Sequence, residues 1–289
     1  LWTALALVVD VVRFAARRRP FMSVRTLAFA CLYFWGEVVG LLRLLLAGND
    51  VARNYAVQAW WTGLLFRAVR RLFALTFVVD GDACVGPGTV VLVRHSSIID
   101  ALLPAWFITR AHGVRLRYVV KRELLADPCM DIAGNRLPHH FVARTGDDTA
   151  ADVAAIEALA RGAHVDEATL VYPEGTRFTP AKRDRAITAL AARDPALAER
   201  ARALTSTMPP KLAGAFALLD GAPAADAIFM AHTGLEGFAH VDDIWSGALL
   251  GRTVRISLWR VPRERIPTES HARALWLYDE WAQVDALAG

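Results

Sequence analysis

Two apolar blocks open the chain, and strand and helix signals alternate from residue 76 onward. Residues 1–12 are apolar except Asp10, and Arg17, Arg18 and Arg19 follow. That order is the reverse of a secretory signal, whose basic region comes first, and suits a short anchor with its arginines on the cytoplasmic side. The second block, Thr26 to Leu46, is long enough to cross a bilayer. Glu37 and Arg43 interrupt it, and charge inside hydrocarbon is costly. A helix lying in the interface, or a hairpin entering one leaflet, fits the pattern at least as well as a full span. Buried helices of a soluble domain are the remaining alternative.

Residues 54–75 predict a helix, with Trp60, Trp61, Leu64, Leu65, Val69 and Leu72 on its apolar side. Its Arg67, Arg70 and Arg71 can reach phosphate groups while their stems lie on hydrocarbon. Thr76–Val79 reads as a strand closed by a turn at Asp80–Gly81. Further strands are predicted at Thr89–Val93, Leu116–Val120, Ala168–Tyr172, Ala227–Met230 and Val254–Trp259. Helices are predicted from Ile99 or Asp100, at Ala150–Ala160, over the polar and peripheral stretch 181–204, at Ala213–Leu219 and at His271–Leu287. Pro128 ends the helical possibility of the segment after Lys121. Short apolar strands alternating with helices predict an α/β fold, with a largely parallel central sheet flanked by helices. An N-terminal membrane-associated helical region precedes it, which divides the chain into anchoring or interfacial helices at 1–53 and a main domain at 54–289.

Composition sharpens this in two ways. Over 289 residues the apolar share is 55% and mean hydropathy is +0.30, which excludes a disordered chain. The net charge of +4 leaves nucleic acid, an anionic bilayer or phosphorylated small molecules as partners. Basic residues beside apolar helices favour the last two, and no stretch interleaves basic residues with stacking aromatics as a nucleic-acid surface would. Cys31, Cys84 and Cys129 have neither metal-ligand nor disulfide spacing and are expected buried and reduced.

The sharpest chemical signal is Arg94-His95-Ser96-Ser97-Ile98-Ile99-Asp100, where a buried strand gives way to a helix. Strand ends are where open α/β sheets gather their chemistry. A carboxylate on one ring nitrogen of His95 would leave the other free as a base, able to take a proton from an alcohol attacking an acyl carbonyl. A structural cap is the alternative for the same pair. Tyr172-Pro-Glu-Gly-Thr-Arg177 follows another apolar strand. Gly175 permits a tight path there, and the Arg177 fork suits a phosphate. Between them lie Lys121-Arg-Glu-Leu124 and Phe141-Val-Ala-Arg144, the latter after Pro138-His139-His140. Phe141 reads as an anchor and Arg144 as a second anion contact. His139 and His140 read as loop or surface residues, and His232 and Glu236 as candidates for a late substrate loop.

In order and spacing, His95-x4-Asp100, Lys121-x-Glu123-Leu124, Phe141-x-x-Arg144 and Glu174-Gly-Thr-Arg177 resemble the PlsC-like glycerolipid acyltransferases, the lysophosphatidate acyltransferase family. The resemblance is strongest over residues 60–235. It implies a membrane-associated enzyme whose site faces the cytoplasm and whose acyl donor is acyl-CoA or acyl carrier protein. It also implies that His95 is the general base and that Asp100 orients it. Arg144 and Arg177 would hold a lysophospholipid phosphate in a loop shaped by Glu174, Gly175 and Thr176, with Lys121, Phe141 and Ser96 as secondary contacts. Transfer in this family is direct, so neither an acyl-serine nor a metal or other resident cofactor is implied. Lysophosphatidate is the expected acceptor.

Two departures bear on the acceptor. Pro138 replaces a glycine common in the family. Met208-Pro-Pro-Lys-Leu-Ala-Gly214 resembles the branch that acylates lysophospholipids with phosphodiester heads. A serine hydrolase would need a Gly-x-Ser-x-Gly elbow, which the chain does not contain. A nonenzymatic lipid-binding protein would share the apolar and basic segments, but would have no use for an acid–base pair and an arginine loop after separate strands.

Overall fold

The computed structural model describes residues 2–17, 21–81, 85, 86, 88–143, 150–238 and 241–289. Helices α1 (Trp2–Arg17), α2 (Met22–Ala47) and α3 (Val51–Leu72) come first, so the division expected after residue 53 falls inside the first turn of α3. Strands β1 (Thr76–Asp80) and β2 (Val90–Val93) follow. A continuous helical run comes next: the 3-10 turn Ile99–Ala101, α4 (Leu102–Pro104) and the π-helical Ala105–Arg110. Then come β3 (Arg115–Lys121), α5 (Pro128–Arg136), β4 (His140–Val142), α6 (Ala150–Arg161), β5 (Glu167–Val171), α7 (Pro180–Ala191) and α8 (Pro195–Ala203). The chain ends with α9 (Leu212–Gly221), β6 (Ala227–Thr233), β7 (Thr253–Val261) and α10 (Ser270–Ala288).

Among the described residues, seven strands form one sheet in the order β1-β7-β6-β2-β5-β3-β4. Strands β6, β2, β5, β3 and β4 are mutually parallel, whereas β7 runs antiparallel to β6 and carries β1 parallel to itself. The expected largely parallel, helix-flanked α/β sheet is therefore present. Both faces of β2 are buried, which explains its unbroken valine and leucine run. Val91 and Val93 face one core with Phe66, Phe73, Leu103 and Ile108. Val90 and Leu92 face the other with Ile156, Leu218, Leu277 and Trp281.

Proline placement corrects two expectations. Pro128 does not stop a helix but opens α5 at its first position, with the Asp127 carboxylate accepting from the Met130 amide at 2.8 Å. The stretch 181–204 is two helices rather than one, because Asp194 caps α8 and Pro195 begins it. A proline can open a helix because its missing N–H would have been unpaired there anyway.

The N-terminal helices meet the domain through buried polar contacts. Asp10 accepts the amides of Ser23 and Val24 at 2.9 and 2.8 Å, capping the first turn of α2. Glu37 accepts from Trp61 Nε1 at 2.8 Å and from the Cys129 amide at 3.1 Å, and the Arg43 guanidinium lies 4.1 Å from the Trp60 ring centre. Protein partners thus satisfy both charges that interrupt the apolar block. Gly40 makes this closeness possible, since a Cβ there would sit 2.6 Å from the Cys129 sulfur. The opposite side of α2 exposes Phe34, Trp35, Val38, Leu42, Leu45 and Leu46, and α1 exposes most of its apolar residues. By length and composition α2 could cross a membrane. Apolar exposure on this scale is consistent with membrane association. Cys129 is buried as expected; Cys31 is exposed on α2, and Cys84 lies outside the described residues.

Candidate active site

Parallel strands end together, so the loops leaving β2, β5 and β3 share one edge of the sheet. This brings the segments at His95, Glu174 and Lys121 side by side, although they are scattered in sequence. His95 lies two residues beyond β2, and its Nδ1 donates to Asp100 Oδ1 at 3.0 Å. The other Asp100 oxygen accepts the Ser96 and Ser97 amides, both at 2.7 Å. The Asp100 side chain is fully buried, which would raise its pKa, but His95, His232 and the Ser97 amide outweigh burial and hold it below the ordinary value. An ionised Asp100 keeps the proton on Nδ1. His95 Nε2, on a side chain 21% exposed, has no hydrogen-bond partner among the described residues.

The floor beneath the pair is hydrogen-bonded from several elements. Glu174, only 2% exposed, accepts the His95 amide at 2.6 Å and the Met208 amide at 2.8 Å. It therefore ties the β5 loop to the β2 loop, and its carboxylate faces main chain rather than open crevice. Burial pushes Glu174 up to about 8, while the two amides and Arg94 pull the other way. The buried Arg94 donates to the carbonyl of His232, to the Ser206 carbonyl at 3.1 Å and to Glu236 at 2.7 Å. His232 returns Nε2–H to the Arg94 carbonyl at 3.1 Å and approaches Asp100 Oδ2 at 3.6 Å. Burial first, then Arg94, lowers His232 to about 4, so it is neutral at physiological pH. His232 is thus buried in β6 behind the pair, whereas Glu236 is exposed on the loop that follows and is held by Arg94. The tilted Tyr172 ring lies 5.1 Å from the His95 ring, and the Ser97 hydroxyl accepts the Ile99 amide at 3.3 Å, capping the helical turn as serine can. The buried Ser96 hydroxyl has no hydrogen-bond partner among the described residues.

Above this floor the rim is cationic. Gly175 has φ +61°, which favours glycine, and the Lys211 stem lies 3.2 Å from where a Cβ would sit. The Lys211 amide donates to the Pro173 carbonyl at 2.8 Å. Lys182 Nζ lies 3.4 Å from the Thr176 hydroxyl and 3.3 Å from the Arg177 carbonyl. Burial lowers the pKa of Lys121, opposed by Glu123 and reinforced by Arg177, Lys182 and Lys211. Four cations thus converge, and Arg177 has no carboxylate partner among the described residues. Such a cluster fits an anionic group.

Phe141 lies in β4 with its ring against Gly134 of α5, an anchor for the edge strand. Arg144 lies outside the described residues. His139 and His140 are half-buried: His139 Nδ1 accepts the Tyr118 amide at 3.2 Å, and His140 meets Asp152 at 3.1 Å. Among the described residues, no group of three or more His, Cys, Asp or Glu side chains could hold a metal. Sequence reasoning missed Arg94, Lys182 and Lys211. Arg94 carried a signal, a charged residue beginning the His95 segment. The two lysines, 29 residues apart, carried none.

Comparison with known proteins completes the picture. The fold is similar to a solved structure, the 1-acyl-sn-glycerophosphate (LPA) acyltransferase PlsC from Thermotoga maritima, at 12% identity and a TM-score of 0.48, covering 90% of this chain and 96% of that one. No curated protein matches the chain. The family model described as Acyltransferase matches residues 77–222, just over half of the sequence, a span containing His95, Asp100, Glu174 and the cationic rim. On that match the chain belongs to the acyltransferase family and is an acyl-transferring enzyme.

Proposed function

We propose that the chain moves a fatty acyl group from acyl-CoA or acyl carrier protein to the free hydroxyl of a lysophospholipid, 1-acyl-sn-glycerol-3-phosphate, giving phosphatidate. The observation that carries this reading is the free Nε2 of a His95 fixed by Asp100, beside a rim holding Arg177 without a carboxylate partner. His95 Nε2 takes the hydroxyl proton as the acceptor oxygen attacks the thioester carbonyl. The carbon–sulfur bond then breaks, and the imidazolium returns the proton to the leaving thiolate. Asp100 stays ionised and stabilises the transient charge. The acceptor phosphate rests on Arg177 with Lys121, Lys182 and Lys211; Arg144 joins them from the sequence pattern alone. Thr176, beside Lys182, belongs to the same contact. The exposed apolar faces of α1 and α2 support a membrane-bound enzyme that draws its acceptor from the bilayer; a site facing the cytoplasm follows from the family resemblance alone.

The test is an acyl-transfer assay of the membrane-reconstituted protein with both donor types and three acceptors: lysophosphatidate, lysophosphatidylcholine and monoacylglycerol. Transfer to lysophosphatidate, reduced about 10²- to 10⁴-fold in folded His95→Ala, is expected. Preference for lysophosphatidylcholine would move the assignment to a phosphodiester lysolipid. Near-normal transfer by His95→Ala would overturn the mechanism.

A further inference from the structure

Away from His95, the last turn of α3 and the π-helical segment border an open cavity of about 360 Å³ lined by Arg67, Arg70, Arg71, Ala74, Leu75 and Trp106. The Trp106 ring is fixed by stacking on Phe66, with centroids 4.3 Å apart and 17° between planes. The guanidinium carbons of Arg110 and Arg67 lie 4.9 and 5.9 Å from its centre. None of these four arginines has a carboxylate partner among the described residues. Elsewhere arginines do pair, as in Arg115–Asp166, Arg161–Glu157 and Arg200–Asp279.

A helix C-terminus normally repels anions through its free carbonyls, and basic residues in a last turn are commonly explained by that alone. Two features go beyond that explanation. The Leu75 amide donates to the Arg70 carbonyl at 2.9 Å and the Ala74 amide to the Arg71 carbonyl at 3.3 Å, so the carbonyls of both arginines are already taken. Ala74 holds φ +52° to close that turn. Moreover, Arg110 ends a second helical segment, so two separate helix ends direct guanidinium groups onto the one Trp106 ring.

The cavity's position suggests its ligand. β1 runs opposite to β2, so the end of α3 that feeds β1 lies at the same end of the sheet as His95. Arg25, in the first turn of α2, donates to the Leu72 carbonyl, which roots the apolar helices beside the cavity. We infer that this cavity binds the phosphate of an anionic membrane phospholipid, a site separate from the acceptor rim, which holds the bilayer against the crevice edge. Guanidinium forks suit phosphate oxygens, and the arginine stems and Trp106 suit the headgroup boundary.

The experiment is quantitative flotation of the full chain on phosphatidylcholine vesicles with and without phosphatidylglycerol, at fixed ionic strength. Because the apolar helices would bind either vesicle, the readout is the ratio of the two affinities. Arg70→Gln/Arg71→Gln should lower that ratio about 30-fold, from about 5-fold per cation at an anionic surface. The exposed doublet Arg185→Gln/Arg193→Gln removes equal charge elsewhere and should change it little. Equal loss in both doublets, or in neither, would overturn the site. So would full retention by Arg70→Lys/Arg71→Lys, which would reduce it to surface charge. If millimolar inorganic phosphate shifted Trp106 emission and abolished the preference, the cavity would take a free anion, and the lipid assignment would fail. Vesicle affinity does not depend on turnover, so His95→Ala should float as the wild type does.

Discussion

The floor and the rim of the crevice are built on opposite electrostatic plans. On the floor, Asp100, Glu174 and Arg94 are buried, and each has its charge or its hydrogen-bonding capacity met from several elements. On the rim, Arg177, Lys182 and Lys211 lie close enough to Lys121 to lower its pKa, which Glu123 opposes, and Arg177 has no carboxylate partner among the described residues. Self-repulsion of this kind is a standing cost, and a bound anion relieves it. A buried, hydrogen-bonded floor holds geometry; a cluster of cations at the rim attracts an anionic ligand. If that division is right, floor and rim substitutions should fail in different ways.

Asp100→Asn should have the largest effect among the tests of this contrast. An amide NH₂ facing His95 Nδ1 favours the tautomer whose Nε2 carries the proton, which removes the base. Turnover should fall by about 10²-fold or more, leaving a residual above that of His95→Ala. Steady-state kinetics with a thermal melt would check this, and kcat unchanged in a folded protein would break the floor reading.

Rim substitutions should act mainly through the acceptor. Arg177→Ala is expected to raise the KM for lysophosphatidate about 10- to 100-fold, the value of a charged hydrogen bond, with a smaller change in kcat. Lys211→Ala, which removes a more exposed cation, should raise it about 5-fold or less. Monoacylglycerol should be nearly indifferent to both. Equal losses with the two acceptors would sink the phosphate assignment.

The smallest and most specific effect concerns Glu174. Its folded pKa is raised from 4.5 to about 8, so the native state holds this proton more tightly than the unfolded chain does. The stability it contributes is fully present below about pH 4.5 and is lost as pH rises toward 8. Glu174→Gln cannot titrate, and its NH₂ must face one of two amide donors. The variant should be less stable at pH 5 and show a flatter loss between pH 5 and 8. Melting curves across that range would test it; parallel slopes would mean that burial does not control this carboxyl.

The sequence made several of these features legible because their signals are local. Val90–Val93 announced a doubly buried strand, and the His95–Asp100 spacing suits a loop closing on its own helical turn. Ser97 as a cap was equally readable. Glu174 was placed in the correct loop, but its role in joining the His95 and Met208 amides depends on chain segments far apart in sequence. The reversed pair β7 and β1 left no trace, since a strand's apolar pattern is the same in either direction. Glu37 appeared to be an obstacle within an apolar helix until Trp61 and the α5 amide supplied partners.

By itself, then, the sequence determined the α/β alternation, the ordered motifs of the acyltransferase family and the apolar character of the leading helices. These follow from periodicity and spacing within short windows. Tertiary structure alone decided which cations meet. Lys211, ahead of α9, reaches the Arg177 loop by laying its stem across Gly175, where it meets Lys182, a near neighbour of Arg177 in the chain. Arg67 of α3 reaches the Trp106 ring, 39 residues on, because α3 and the π-helical segment pack together. Charge clusters of this kind depend on distances through space, which residue order does not encode locally.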